Sequence, residues 1–141
     1  MLQGQKREEA IRRFVMLLLV VAAGLCARDA SARVQPIYTV QGHPIPSASA
    51  SLRPDQITQL IASTAQSTGW VVEPLSSTQV RATQKWRTHS ATVIISTDGR
   101  TYSIHYETST NLLQQGGSIH REYNKRVHAL EDAIEKRLYR P

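Results

Sequence analysis

Only one of the chain's 141 residues is a cysteine, Cys26, and it lies ahead of the point where cleavage is expected, after Ala32. The domain that follows, Arg33 to Pro141, has none, which excludes disulfide staples and thiolate metal sites even where an oxidising compartment would allow them. A domain of about 100 residues can stand on an ordinary hydrophobic core instead. Long apolar runs are also missing. The most hydrophobic stretch, Phe14 to Cys26, is thirteen residues, whereas a membrane-spanning helix needs roughly 20. No nucleophile elbow, glycine-rich phosphate loop or paired-carboxylate motif occurs, and Gly116-Gly117 reads only as a loop.

What is present first is a secretory leader. Lys6, Arg7, Arg12 and Arg13 give a basic start, diluted by Glu8 and Glu9. The apolar run follows, and Ala30-Ser31-Ala32 offers small side chains where a signal peptidase reads them. The expected organisation is a signal peptide over 1–32, an extended lead-in with an edge strand over 33–52, and a single α+β domain over 53–141. Cleavage leaves 12 basic against 8 acidic residues, a balance of +4. The expected location is periplasmic or secreted, with no membrane span after cleavage. Tethering through a lipidated Cys26 is the alternative. It wants a large aliphatic residue three positions earlier and a small one just before, and Ala23 and Leu25 reverse that order. The Arg12-Arg13 pair is explained by an ordinary basic start.

Periodicity supplies the elements. Ile37 to Val40 reads as a short edge strand between prolines, and Ser47 to Ser51 as a flexible link. A helix is predicted from Pro54 to Thr68, with Pro54 in its first turn, Asp55 at its positive end, an apolar stripe through Ile57, Leu60, Ile61 and Ala65, and Gly69 as its stop. The period then falls to two. Trp70 to Val72, Val80 to Trp86, Ala91 to Thr97 and Thr101 to Glu107 are predicted strands. Asp98-Gly99 predicts a two-residue hairpin pairing Ile95 with Tyr102, Val93 with Ile104 and Ala91 with Tyr106. A tight turn at Thr88-His89 would set Trp86 opposite Ala91. One sheet face is then apolar and the other wet, with only Ile94 out of place. Ser118 is the expected N-cap of a last helix carrying Ile119, Tyr123, Val127, Leu130, Ile134 and Leu138 on one stripe. The order β-α-β-β-β-β-α predicts a two-layer α+β sandwich, an antiparallel sheet of four or five strands with two helices on one face.

The chain resembles a family of small exported bacterial proteins, many of them lipoproteins, for which no activity is established. The matching residues are Gly69-Trp70, Arg81-Ala82, His89, Tyr102-Ser103-Ile104 and Tyr106, then Ser109-x-Asn111-Leu112, Gly117-x-Ile119-His120 and Tyr123-Asn124. They cover Pro54 to Leu138. Where that family places a Trp two residues after the Tyr-Asn pair, this chain has Arg126, and the lipidation motif is absent in register. The resemblance implies the fold and an exported location, and it brings no activity with it.

Three groups of residues are candidates for chemistry. Asn111, His120, Tyr123 and Asn124 could form a catalytic cluster, since His and Tyr serve as acid and base and Asn can stabilise an oxyanion. Each also has a structural reading: Asn111 in a loop, His120 in the first helical turn, Tyr123 on the buried stripe, Asn124 bonding loop carbonyls. His89, His105, His120 and His128 are potential metal ligands without the tight spacing of a zinc site, so no metal and no cofactor are expected. Arg81, Lys85 and Arg87, with His105, would project from the wet face as a binding patch for an acidic envelope protein or an anionic envelope polymer. Nucleic acid is not the expected partner, because no aromatics interleave with these cations. The reading these residues support is an exported envelope domain acting as a non-enzymatic binding or structural module. The alternative is a small hydrolase-like periplasmic enzyme using His120, Tyr123 and Asn124.

Overall fold

The computed structural model describes residues 4–13 and 33–141. The apolar run Phe14–Cys26, the cleavage point expected at Ala30-Ser31-Ala32 and Cys26 itself lie outside the described residues. Residues 4–13 are helical (α1). The chain divides into two units, Met1–Gln35 and Pro36–Pro141, with β1 (Val34–Pro36) running over the boundary in sequence. Among the described residues no helix is long and apolar enough to cross a membrane.

In the second unit, helix α2 (Pro54–Ser67) begins where its sequence predicts. Pro54 occupies the first turn, and the Gln56 side chain accepts from the Arg53 amide at 2.9 Å. Ile57, Ile61 and Ala65 form its buried stripe. Gly69, at φ 89°, makes the left-handed reversal that ends it. Five strands, β2 (Val40–Pro44), β3 (Val71–Ser76), β4 (Gln79–Trp86), β5 (His89–Thr97) and β6 (Thr101–Thr110), form one antiparallel sheet in the order β2-β6-β5-β4-β3. A short strand β7 (Ser118–His120) leads into helix α3 (Arg121–Leu138). Alternation on the central strands buries Val80, Ala82, Ala91, Val93, Ile95, Tyr102 and Ile104. These pack in one cluster with the α2 stripe and with Tyr123, Val127, Leu130, Ile134 and Leu138 of α3. The architecture is the α+β arrangement its periodicity predicts, helices packed on an antiparallel sheet. Each fully buried aliphatic side chain in that layer contributes about 1.5–3 kcal/mol.

Both hairpins differ from expectation by two residues. Thr97 pairs with Tyr102 and Ile95 with Ile104, so the β5–β6 loop is two residues longer than the Asp-Gly signal suggests. The cause is Asp98, whose Oδ1 accepts from the amides of Arg100 and Thr101 at 2.8 and 2.7 Å and so rounds off a wider turn. In the other hairpin Trp86 pairs with His89 and Gln84 with Ala91, leaving Arg87-Thr88 as the turn. Arg87 takes φ 51°, a left-handed position that residue type alone would not assign to arginine.

Three further expectations are corrected. The edge strand is Val40–Pro44, not Ile37–Val40, because the amides of Ile37 and Tyr38 are taken by Gly117 O (2.8 Å) and Asn124 Oδ1 (2.9 Å). Ser47–Ser51 is no flexible link. Ser47–Ser49 is a 3₁₀ turn, and buried Ser49 donates its hydroxyl to the Leu138 carbonyl. Ser118 does not cap the last helix, since it exchanges backbone bonds with Gln115. The chain stays extended through buried Ile119, and His120 is the N-cap.

Candidate functional site

The wet sheet face carries less free charge than alternation suggests. Glu73, Arg81, Ile94 and His105 form one row across four strands. Arg81 donates to Glu73 at 3.0 Å and, through Nε and Nη2, to Glu107 at 2.7 and 2.9 Å. Glu107 is the extra residue of a β-bulge, where the register slips between Thr92 and Val93. Its hydrogen bonds from Arg81 hold its carboxyl below the usual range and raise the guanidinium in turn. Lys85 lies two rows away, beside Ser90, and Arg87 is in the turn rather than on the strand. Three of the four expected binding residues therefore share the wet face, Arg87 sits in the turn, and Arg81 is neutralised by its two carboxylate partners.

The expected polar cluster is also dispersed. Tyr123 is fully buried, edge-on to Tyr106 with ring centres 5.5 Å apart, and burial pushes its hydroxyl up, away from the physiological range. Asn124 points to the lead-in, accepting from the Tyr38 amide and donating to the Pro36 carbonyl, both at 2.9 Å. Asn111, at φ 56°, donates through Nδ2 to the Thr88 carbonyl at 2.8 Å. His120 lines a cleft.

That cleft, about 420 Å³, lies between the β4–β5 turn and the start of α3 and is lined by Trp86, Arg87, His89, His120, Glu122 and Arg126. Its construction follows from backbone bonds. The Asn111 carbonyl receives His89 Nδ1 at 2.7 Å, and the next carbonyl, that of Leu112, receives the His120 amide at 2.8 Å. Two adjacent carbonyls thus bring together histidines far apart in sequence. Glu122 and Arg126 are one helical turn apart on α3. Arg126 lies with its guanidinium carbon 3.8 Å from the Trp86 ring centre and donates to Gln84 Oε1 at 3.0 Å. Gln84 in turn donates to the Thr68 carbonyl at 3.2 Å, which explains a polar residue on the core face of β4. The buried Nε of Arg126 has no hydrogen-bond partner among the described residues.

Sequence reasoning missed Trp86, Glu122 and Arg126 as site residues and considered His89 only as a metal ligand. Among the described residues, no three metal-ligating side chains are grouped to hold an ion. A second polar group lies on α3. Glu131 accepts from Tyr38 Oη at 2.6 Å and stands 3.2 Å from His43 Nδ1, while Tyr38 stacks on His128 at 3.7 Å. It ties the lead-in to α3. No known protein family matches this chain, and no curated protein matches it.

Proposed function

We propose that the folded unit is a non-enzymatic binding module of the cell envelope, and that it takes an anionic group, free or displayed on an envelope polymer, in the cleft beside Trp86. The observation that carries this reading is the fixed Arg126 guanidinium, stacked on Trp86 and bonded to Gln84, with Arg87 at the same rim. A cation already held by an aromatic face gives up little rotamer freedom on binding. The +4 balance beyond Ala32 favours approach of anions, and the basic, apolar and small-residue order of the leader supports export. The hydrolase alternative is weaker, because Tyr123 is buried in the core and Asn124 bonds to backbone.

Titration of the domain with sulfate and with phosphate at low salt, followed by the Trp86 indole NMR signal, tests the binding reading. Saturable shifts at Trp86 and Arg126, weakened at least tenfold in Arg87→Gln/Arg126→Gln, are expected. Absence of saturation with both anions overturns it. The exported chain should have the intact mass of a polypeptide starting at Arg33. An acylated start at Cys26 would replace a free module by a tethered one.

A further inference from the structure

The two histidines of the cleft have opposite hydrogen-bonding roles, and both are fixed by backbone groups that can act in only one sense. The partner of His89 Nδ1 is the Asn111 carbonyl, which only accepts, so Nδ1 carries the proton and Nε2 is left with a lone pair. The partner of His120 Nδ1 is the Glu122 amide, which only donates, so Nδ1 is bare and the neutral ring carries its proton on Nε2. Which nitrogen of an imidazole is protonated is set by the bond the other one makes. The cleft therefore combines an acceptor, His89 Nε2, and a donor, His120 Nε2–H, with the cations Arg87 and Arg126 and one carboxylate, Glu122.

Resting on the anion-binding reading above, we infer that the cleft selects an oxyanion that still carries a proton, a hydrogen phosphate group. Such a group offers anionic oxygens to Arg126, Arg87 and His120 Nε2–H and one P–OH to an acceptor. A fully deprotonated anion such as sulfate leaves the lone pair of His89 without a donor and faces the Glu122 carboxylate with no proton between them. An acceptor that a bound ligand shuts off from water and leaves unpaired discriminates roughly tenfold or more. The same logic gives Glu122 a place in an otherwise cationic cleft, as a second acceptor and a repellent of fully ionised ligands. Two sources share this chemistry, free inorganic phosphate and a phosphate monoester end on an envelope polymer. A monoester has a second pKa near 6 and retains part of its proton at neutral pH.

The test compares binding of inorganic phosphate, sulfate and glycerol phosphate to the intact domain at pH 7. Phosphate is expected to bind at least tenfold more tightly than sulfate. Competition of glycerol phosphate with phosphate assigns the site to a polymer-borne group, and its failure to compete assigns it to the free anion. Equal affinity for sulfate and phosphate overturns the inference while leaving anion binding standing; no binding of either anion removes both. His89→Phe should bring the ratio of phosphate to sulfate affinity down to about one, and a ratio kept at the wild-type value overturns the inference. Should that variant fail to fold, long-range ¹H–¹⁵N correlation on the wild-type imidazoles still decides. The expected result is His89 protonated at Nδ1 and His120 at Nε2, and finding both rings in one tautomer overturns the inference.

Discussion

The guanidinium of Arg126 lies over the Trp86 ring, its carbon 3.8 Å from the ring centre. The stack is worth about 0.5–2 kcal/mol, and the bond to Gln84 about 1 kcal/mol more. Arg126→Ala should destabilise the domain by about 1.5–3 kcal/mol in urea unfolding. Arg126→Trp should retain most of that stability, because it restores a ring contact and removes the unpartnered buried Nε. Both variants should lose anion affinity. An Arg126→Trp domain that binds anions as well as wild type would show that the guanidinium is only a packing element.

Tyr123 separates the binding and enzymatic readings from another direction. Its hydroxyl is buried and has no hydrogen-bond partner among the described residues. Removing an unsatisfied buried polar group is neutral or favourable. Tyr123→Phe should therefore be as stable as wild type or about 1 kcal/mol more stable by urea unfolding, with unchanged anion binding. A marked loss of ligand affinity in this variant would return the tyrosine to the site.

The layers of the fold were legible because sheet faces depend on parity. Between the turns and the bulge at Glu107 both predicted hairpin registers are off by two residues, and an even slip leaves every side chain on its face, so alternation places Ala91, Val93, Ile95, Tyr102 and Ile104 in the core with the wrong partners. The turns were not legible because they are set by atoms without a residue-type signature: Asp98 gathering two amides, and Arg87 taking a left-handed φ. The cleft was hidden for the same reason. His89 and His120 are joined through the carbonyls of Asn111 and Leu112, and every residue has a carbonyl. Asn111 and His120 were singled out for catalysis, yet the first positions the turn and only the second reaches the cleft.

Asn124 should prove a structural residue. It satisfies the Tyr38 amide and the Pro36 carbonyl, both at 2.9 Å. Asn124→Ala removes both bonds and should cost about 2 kcal/mol at about 1 kcal/mol each. The amide of Tyr38 should lose hydrogen-exchange protection before the core amides do. Anion affinity of the folded fraction should be unchanged, and a selective loss of affinity at unchanged stability would contradict the assignment.

The contact between Tyr38 and Glu131 makes a pH-dependent prediction with a definite sign. The hydrogen bond to Glu131, reinforced by desolvation, raises the Tyr38 hydroxyl from the ordinary value of 10.0 to about 12. The folded state thus favours the neutral phenol more than the unfolded chain does. Its stabilisation is complete below pH 10 and is lost as the pH rises through about 12. Tyr38→Phe should cost about 1 kcal/mol near neutral pH, the usual net worth of one such bond. Tyr102 and Tyr123 are also pushed up, mainly by burial, and are common to both proteins; only the smaller influence of Tyr38 on Tyr102 differs between them. The stability gap between wild type and Tyr38→Phe, from urea unfolding at a series of pH values, should be constant from pH 7 to about 10 and then close. A gap that persists unchanged at the alkaline end would mean that Tyr38 contributes through its stacking on His128 and not through its proton.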